Sequence, residues 1–397
     1  MNSPLLDLVS RTLKGGHATG ARPESALERR IVSIMTTSER GGAEYASVDL
    51  LNALRARGHN VVLLTNSPEL AANTNVGVRT IDLGPKLTRR SVVRLALQAP
   101  LILLRLARAL RAEQPVGSVL VHFKKEQLLC SLLPRRLTGT IIWAEWGPVP
   151  APMRRGPGRV LYALAARRAR RIMAVSDGTG RTVVEAGVPR EKVVVMPDLV
   201  NLHRVEFDAE GREQLRQAWG VGEHALVVGC ISRFQRRKRN DVVIDAMAYV
   251  DRGVLLVIAG EGEEEQALRE RAVPHAQRVR FVPNVRGHVE QFLSACDLLA
   301  FAPSPTEADR PRVIVMAQLV GLPVVATHPE GAGSVEVAGS GTVVVPHNDP
   351  RALAAAIVAY RDDPERRRRE GEAGRRAILD GYNPERTLQA LEKALKL

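Results

Sequence analysis

Short apolar segments alternate with helix patterns in two stretches of this chain, and this alternation constrains the fold more than any other feature. In the first stretch, the strand pattern RRIVSIMTT is followed by the helix pattern GGAEYASVDLLNALRARG and the strand pattern HNVVLLTN. The helix pattern begins at a glycine turn and ends at Gly58, and its apolar residues recur with a helical period. These segments predict a β-α-β unit.

The same alternation returns after the middle of the chain. Helix patterns such as DVVIDAMAYV and EEEQALRERA separate the apolar segments ALVVGCISRF, GVLLVIAGEG, VRFVPNV, LLAFAPS and PVVATHP. Short strands separated by helices predict a parallel sheet covered on both faces. Because 397 residues are too many for one ordinary core, we predict an α/β protein of two doubly wound domains with a cleft between them.

The segment MPDLVNLHR interrupts both patterns and sets the predicted domain boundary near residues 196–204. We predict a loose leader over residues 1–29 and an N-terminal domain over 30–198. A C-terminal domain follows over 199–375. The last segment, 376–397, is a predicted helix, for which a return to the N-terminal domain is one option.

The charge of the chain favours an anionic partner. Lys and Arg number 57 against 43 Asp and Glu, a formal net charge of +14, which suits a nucleotide, a nucleic acid, an acidic polymer or an anionic membrane surface. Nucleic acid is disfavoured, because aromatic residues make up only 4% of the chain and no basic segment interleaves them as stacking platforms.

The cysteines and the N-terminus favour the cytoplasm. Cys130, Cys230 and Cys296 are far apart and each lies in an apolar run, which predicts reduced, buried thiols rather than disulfides or a metal site. The first 29 residues lack an uninterrupted apolar core of the signal-peptide type.

Ligands of open parallel sheets bind beyond the carboxyl ends of the strands, so the loops that follow strands are the candidates for chemistry. In TTSERGGAE, Gly41 and Gly42 allow backbone N–H groups to approach a phosphate, although a plain turn has the same composition. In SRFQRRKRND, Arg233 and Lys238 project from one edge and suit a diphosphate. The alternative for this loop is a solvated basic turn.

Two further loops follow strands of the second stretch. In AGEGEEE, Gly260 and Gly262 fit a tight turn with close backbone approach. In PTEADRPRVIVMAQLVGLPVVA, acidic residues and two arginines come immediately before an apolar helix pattern. Each carboxylate can accept hydrogen bonds from two neighbouring hydroxyls, which suits a sugar or a ribose.

The order of these motifs resembles family four of the nucleotide-sugar glycosyltransferases, which are retaining enzymes of the GT-B fold. The resemblance covers about residues 30–345 and is carried by GGAE, RRIMAVSDGTGRTVVEAGVPREKVVVMPDLVN, SRFQRRK, AGEGEEE, CDLLAFAPSPTE, MAQLVGLPVVAT and GAGSVEV. It implies two Rossmann-like domains, with a nucleoside-diphosphate sugar, UDP or GDP, in the C-terminal one. It also implies transfer of the sugar to a hydroxyl of an unknown acceptor, with retention of anomeric configuration.

The resemblance also implies roles for individual residues. Arg233 and Lys238 would hold the diphosphate, and Gly41 and Gly42 would face it from the other domain. The helix that starts at Pro311 would aim backbone N–H groups at phosphate. The other residues implied at the donor site are Gly260, Gly262, Arg312, Val313, Met316 and Glu336.

The chain departs from the family pattern in the acidic stretch. The resemblance implies two carboxylates separated by seven intervening residues, one near the donor sugar and one on the ribose. In this chain Met316 stands where the second belongs, and Glu307 lies one position further upstream than that spacing requires. Glu307 is the preferred sugar-facing carboxylate, and Asp309 is the alternative.

A second departure concerns the acceptor side. The family has a His-Gly pair after an N-domain strand, whereas IIWAEWGPVP has Trp146 before Gly147. Glu145 is a possible polar substitute there, and a structural turn is the alternative. His122, at the end of the strand pattern VLVHFKKEQ, is a candidate acceptor-site group or general base, or a structural histidine.

Two arginine-rich segments suggest where an acceptor could be met. KLTRRSVVRLALQAPLILLRLARALRA and MRRGPGRVLYALAARRARR combine Leu, Ile and Val with many arginines. This composition suits a peripheral contact with an anionic membrane at its inner face, and it equally suits packed helices with a solvated arginine face. The apolar run over 91–112 is interrupted by Arg94, Pro100 and Arg105, so we do not predict that it spans a membrane.

The sequence therefore predicts a glycosyltransferase that needs no cofactor or metal. No D-x-D pair or His/Cys cluster with ligand spacing is present in the sequence, so cations and helix N-termini would offset the diphosphate charge. Two alternatives remain at this point. One is a nucleotide-sugar epimerase or hydrolase on the same fold, and the other is a non-catalytic sugar-nucleotide-binding subunit.

Overall fold

The described residues form two parallel sheets. The computed structural model describes residues 30–395 apart from 38–40, 89, 197–204, 223–224, 252, 284, 286–287, 305–310, 328–340 and 382–383. The strands of the first sheet are β1 (Arg30–Met35), β2 (Val61–Thr65), β3 (Gly77–Thr80), β4 (Val116–Val121), β5 (Thr140–Glu145), β6 (Ala169–Ala174) and β7 (Val193–Val195). Their order across the sheet is β3-β2-β1-β4-β5-β6-β7.

Helices cover both faces of this N-terminal sheet. They are α1 (Gly42–Ala56), α2 (Pro68–Ala72), α3 (Val92–Ala112), α4 (Lys124–Leu132), α5 (Arg135–Thr138), α6 (Gly156–Ala166) and α7 (Asp177–Glu185). One buried apolar cluster joins the sheet to α3 through α7, and another joins its opposite face to α1. Strands buried on both faces explain why their sequences are continuous apolar runs.

The second sheet has the same architecture. Its strands are β8 (Leu226–Ile231), β9 (Val254–Ala259), β10 (Val279–Val282), β11 (Leu298–Phe301), β12 (Val324–Thr327) and β13 (Thr342–Val345), in the order β10-β9-β8-β11-β12-β13. The helices of this half are α8 (Ala209–Ala218), α9 (Asn240–Ala246), α10 (Glu265–Ala272), α11 (Val289–Ala295), α12 (Arg312–Leu319), α13 (Pro350–Asp362) and α14 (Pro364–Gly381). The predicted pair of doubly wound domains is present.

The last described helix, α15 (Pro384–Leu395), packs on the N-terminal domain. Leu391 is fully buried in the apolar cluster that also contains residues of α1. Glu392 accepts hydrogen bonds from Arg57 at 3.0 and 2.8 Å, and its Oε1 lies 2.6 Å from Nε2 of His59. The segment that returns to the N-terminal domain is therefore shorter than residues 376–397, because α14 continues to Gly381.

The cysteines are buried, as predicted. Cys130, Cys230 and Cys296 are free thiols inside the apolar clusters. Burial raises the pKa of each thiol. Among the residues that the structure describes, no helix is long and apolar enough to cross a membrane.

Each sheet has one point at which the strand order reverses, so that the chain adds strands to one side of this point first and to the other side afterwards. In the N-terminal sheet this point lies between β1 and β4, and in the C-terminal sheet it lies between β8 and β11. At such a point the carboxyl ends of two adjacent strands leave a crevice in which ligands of doubly wound sheets bind. The loops that follow these four strands contain most of the residues singled out from the sequence.

Candidate active site

The two crevices lie against each other. A Cβ atom placed on Gly41, which follows β1, would lie 3.3 Å from Nη2 of Arg233, which follows β8. The same atom would lie 3.1 Å from Oε2 of the buried Glu44. A glycine at position 41 therefore lets the guanidinium of Arg233 reach the start of α1. The predicted diphosphate-binding arginine and the predicted glycine loop lie on opposite sides of one narrow gap.

A second contact crosses the same gap. Arg312, the first residue of α12, donates a 2.6 Å hydrogen bond from Nη2 to Oδ2 of Asp49 on α1. The aliphatic part of this arginine lies over Gly42, where an added Cβ atom would be 3.7 Å from Cδ of Arg312. The helix begins at Arg312 and has Pro311 as its N-cap residue, as the sequence predicts. The guanidinium that was assigned to the donor site pairs with a carboxylate of the opposite domain.

Lys238 lies on the inner side of its turn. Its Nζ is 5.7 Å from the centroid of the Phe301 ring, and Phe301 is the last residue of β11. The turn that carries Lys238 is a short 3-10 helix, Arg236–Lys238. Arg233 and Lys238 therefore lie at the ends of the two strands that flank the C-terminal crevice, β8 and β11.

Gly260 and Gly262 make the close backbone approach that the sequence predicts, and their partner is a neighbouring loop. A Cβ atom on Gly260 would come within 2.0 Å of the carbonyl oxygen of Ser232, and one on Gly262 within 2.4 Å of that of Phe234. The backbone N–H of Phe234 donates to the carbonyl of Glu261 over 2.8 Å. These glycines allow the loop after β9 to pack on the loop that carries Arg233.

Val313 and Met316 belong to an apolar surface of α12. Both side chains are partly buried and pack against the apolar cluster on one face of the C-terminal sheet. Their neighbours in that helix, Ile314 and Val315, are buried. Three other candidates, Glu307, Asp309 and Glu336, lie outside the described residues.

His122 is buried at the carboxyl end of β4 with both ring nitrogens engaged. Nδ1 lies 3.2 Å from the indole nitrogen of Trp146, which can only donate, and 2.9 Å from Oγ of Ser47. Nε2 lies 2.9 Å from Oγ of Ser33. Burial lowers the pKa of His122 to about 3. This environment favours the structural alternative for His122 over a general base.

Trp146, for which the resemblance implies a histidine, contacts the ring of His122 through its indole nitrogen. Its ring plane is parallel to that of His122 within 2°, with the ring centroids 6.3 Å apart. Trp146 is only partly buried and follows β5 at the same edge as the crevice. His122 therefore contacts an aromatic side chain on the N-terminal side of the gap.

A network of charged residues at this edge was largely missed from the sequence. Glu145, the last residue of β5, forms an ion pair with Lys124 and accepts a 2.7 Å hydrogen bond from the hydroxyl of Tyr162. Burial is the largest influence on Lys124 and lowers its pKa, and it raises the pKa of Tyr162 well above the usual value. The available signal was the charged segment KKE (124–126), two residues after the apolar segment VLV (119–121). Such a segment resembles an ordinary, solvated helix start.

Glu126 is the second missed residue and is fully buried. One of its carboxylate oxygens accepts hydrogen bonds from the hydroxyl and the backbone N–H of Thr36, the residue after β1. Lys125 Nζ lies 3.7 Å from the same oxygen. Burial is the main cause that raises the pKa of Glu126. This carboxyl anchors the start of the loop that leads to Gly41.

Two family models match the chain, one in each half. The model described as Glycosyltransferase Family 4 matches residues 40–204, and the model described as Glycosyl transferases group 1 matches residues 225–363. Together they cover most of the chain. The chain belongs to glycosyltransferase family 4. The family predicted from the motifs is confirmed.

Curated relatives of this family 4 chain share about 30% identity. A GDP-mannose-dependent alpha-(1-6)-phosphatidylinositol monomannoside mannosyltransferase of Mycolicibacterium smegmatis is 30% identical over 222 residues, which are 52% of this chain and 57% of that protein. A D-inositol 3-phosphate glycosyltransferase of Kineococcus radiotolerans is 30% identical over 278 residues, 63% of this chain and 62% of that protein. The chain thus matches little more than half the length of these relatives.

Solved structures confirm the predicted GT-B fold. Anabaena Alr3699/HepE, crystallised with UDP and glucose, superposes with a TM-score of 0.78 at 20% identity, over 92% of this chain and 99% of that chain. WaaG, a glycosyltransferase involved in lipopolysaccharide biosynthesis, superposes with a TM-score of 0.67 at 17% identity, over 92% and 99% of the two chains. At these identities the likeness shows the architecture alone.

Proposed function

We propose that this family 4 chain transfers a hexosyl group from a nucleoside-diphosphate sugar, UDP or GDP, to an acceptor hydroxyl. The observation that carries the proposal is the close approach of Arg233 to Gly41, where an added Cβ atom would lie 3.3 Å from Nη2. This approach brings the crevices of the two sheets together at one gap. Support also comes from the relatives: the mycobacterial protein is named for GDP-mannose, and HepE was crystallised with UDP.

The cations of the gap suit the departure of a nucleoside diphosphate. Negative charge develops on the diphosphate as the bond to the sugar breaks, and fixed cations stabilise that charge without a metal ion. Arg233 and Lys238 would contact the diphosphate, and the start of α12 would add backbone N–H groups. We propose retention of configuration, as is implied by the resemblance, with Glu307 facing the sugar.

The names of the relatives suggest the acceptor. One acts on a phosphatidylinositol monomannoside and the other on D-inositol 3-phosphate, and both molecules carry a cyclitol and a phosphate. We propose an acceptor of this class, either lipid-linked or soluble. The partly buried Trp146 at the acceptor side offers a ring surface on which a cyclitol could stack.

The exposed face of α3 and α6 supports a peripheral contact with an anionic membrane. Both helices pack on the same face of the N-terminal sheet, and the charged residues within them are all arginines. Large apolar side chains are nevertheless exposed on both, with Leu97 79% exposed. They are Val92, Val93, Leu97, Leu101 and Leu104 on α3 and Val160, Leu161 and Leu164 on α6. Apolar side chains among arginines suit insertion between anionic headgroups.

Thermal unfolding in the presence of UDP, GDP, dTDP and ADP tests the donor site. A ligand that binds only the folded state raises the melting temperature by mass action. Arg233→Ala and Lys238→Ala should each remove most of the shift and leave the ligand-free melting temperature nearly unchanged. Absence of a shift with all four nucleotides would contradict the proposed function, and full shifts in both variants would contradict the assigned residues.

Two further measurements separate the alternatives. Turnover of the donor without any acceptor would favour the epimerase or hydrolase, and tight nucleotide binding without turnover would favour a non-catalytic subunit.

Vesicle sedimentation at low and high salt tests the membrane contact, which should require anionic lipid and weaken as salt rises. Leu97→Gln combined with Leu101→Gln should reduce sedimentation, whereas Leu379→Gln, at an exposed leucine of α14, should not.

A further inference from the structure

A basic cavity opens between the domains beside the donor residues. Its volume is about 440 Å³. It is lined by Lys86 from the N-terminal domain and by Gln235, Arg236, Arg237 and Glu263 from the C-terminal domain. Three cations against one carboxylate leave the lining with a net positive charge. None of these residues belongs to the set that was assigned to the donor.

The turn Arg236–Lys238 directs its cations to two different places. Lys238 reaches inward over Phe301, at the end of β11, whereas Arg236 and Arg237 line the cavity. The turn is fixed by backbone contacts, because the carbonyl of Arg237 accepts a 2.8 Å hydrogen bond from the N–H of Ser304. Nε of Arg237 also donates to Oε1 of Gln235 over 3.2 Å. One turn therefore supplies a cation to the strand ends and two cations to a separate cavity.

Lys86 belongs to a loop that is anchored from within the N-terminal domain. The buried Lys125 donates a 2.7 Å hydrogen bond from Nζ to the carbonyl of Gly84. The N–H of Gly84 donates to Oδ1 of Asp82 over 2.8 Å, and Gly84 has the positive φ of 75° that a glycine allows. This anchoring holds the third cation of the cavity on the opposite side of the cleft from Arg237.

We infer that this cavity binds the phosphate of the acceptor. The inference rests on the proposed function, in which Arg233 and Lys238 are occupied by the donor diphosphate. A phosphate between Lys86 and Arg237 would be contacted from both domains, and a guanidinium can bind two phosphate oxygens at once. Glu263 would accept a hydrogen bond from a ring hydroxyl of the same molecule. The cavity thus recognises a phosphorylated polyol next to the donor.

Titration calorimetry on nucleotide-saturated protein tests this assignment. UDP or GDP, whichever gives the larger thermal shift, first fills the donor site. The protein is then titrated with myo-inositol 1-phosphate, with short-chain phosphatidylinositol below its micelle concentration, and with unphosphorylated inositol. We expect binding of at least one phosphorylated compound and at least tenfold weaker binding of inositol, since a charge-assisted hydrogen bond is worth about that factor. The preferred compound distinguishes a free phosphomonoester from a lipid phosphodiester.

Variants then locate the phosphate. Lys86→Gln and Arg237→Gln should each weaken the phosphorylated compound about tenfold and change nucleotide affinity less than twofold. Arg376→Gln, at an exposed arginine of α14, is the control for a lost surface charge. Absence of binding by either phosphorylated compound, equal affinity for inositol, or unchanged affinity in both variants would overturn the inference. If the wild-type protein bound neither UDP nor GDP, the proposed function would be overturned instead.

Discussion

Arg312 and Asp49 pair across the domain cleft with 2.6 Å between Nη2 and Oδ2, although 263 residues separate them in the sequence. Their side chains are 16% and 25% exposed, so the pair is partly shielded from solvent. The contact lies beside Gly42, at the start of the helix that faces the proposed donor site. It therefore links the relative position of the domains to an arginine of that site.

Asp49→Asn should let the domains separate in the ligand-free protein. The amide keeps the size of the side chain and removes its charge, which for a partly exposed pair costs about 1 kcal/mol. We expect a larger radius of gyration in X-ray scattering and roughly fivefold weaker nucleotide binding, since 1.4 kcal/mol corresponds to tenfold. Asp245→Asn removes a pair within the C-terminal domain, to Arg271, and should change neither quantity. Equal scattering curves for all three proteins would contradict a role of Asp49 in closure.

Gly41→Ala should weaken nucleotide binding without unfolding the protein. The new methyl group would lie 3.3 Å from Nη2 of Arg233 and 3.1 Å from Oε2 of Glu44, so the arginine must shift by a few tenths of an ångström. We expect a loss of about tenfold in nucleotide affinity by calorimetry, comparable to one charge-assisted hydrogen bond. Gly222→Ala is the control, because no atom lies within 4 Å of its added Cβ. An unchanged affinity would mean that the position of Arg233 tolerates displacement.

His122 should make the protein less stable in acid. Its pKa is lowered to about 3 by burial, against about 6.5 in an unfolded chain. Between these values the unfolded state takes up a proton that the folded state does not, so the free energy of unfolding falls as pH decreases below 6.5. When unfolding takes up one full proton, the free energy of unfolding changes by about 1.4 kcal/mol per pH unit.

Urea unfolding of wild type and His122→Gln from pH 7.5 to pH 5 measures this effect. The difference in unfolding free energy between the two proteins should shrink by roughly 2 kcal/mol from pH 6.5 to pH 5, because glutamine does not titrate. Parallel curves would show that His122 is charged in the folded state or exposed to solvent. A dependence of kcat on a group near pH 6.5 that disappears in this variant would restore His122 as a general base.

Local patterns in the sequence were sufficient for the fold but not for contacts between the domains. Strands such as β8 are apolar throughout because both faces are covered, and this makes them visible without a structure. The pairing of Glu392 with Arg57 joins residues 335 positions apart, and no local period encodes such a partner. The predicted start of the last helix at 376 was misplaced because the charged pattern continues to Gly381, whereas Pro384 marks the true start of α15.

The candidate site shows the same division. The loops of Gly41, Arg233 and Arg312 were predicted because doubly wound sheets bind ligands after particular strands. That Gly260 and Gly262 serve loop packing could not be predicted, because close approach to a ligand and to another loop require the same residue. The buried Glu126 was missed for a related reason: a charged residue after a strand resembles a solvated helix start until burial is known.

Met316→Glu should weaken both folding and donor binding. The family pattern has a carboxylate at this position, so the substitution restores the consensus. In this chain, however, Met316 is partly buried against the apolar cluster that includes Ile314 and Val315. A carboxylate there replaces apolar contacts and loses hydration without a defined partner, which costs about 1–3 kcal/mol. We expect a lower melting temperature and weaker donor binding in calorimetry.

Met316→Gln separates the effect of charge from that of polarity. Glutamine has nearly the same length as glutamate and no charge, so it should destabilise the protein less than Met316→Glu if desolvation of the carboxylate is the main cost. The opposite result is expected if the ribose hydroxyls of the donor already lie where a carboxylate could accept their hydrogen bonds. Met316→Glu would then bind the donor more tightly than wild type, and Met316→Gln would bind it less tightly than Met316→Glu. Tighter donor binding by Met316→Glu at an unchanged melting temperature would show that the ribose pocket keeps the family geometry. Weaker donor binding in both variants, with the larger loss in Met316→Glu, would show that an apolar wall has replaced the ribose pocket of the family.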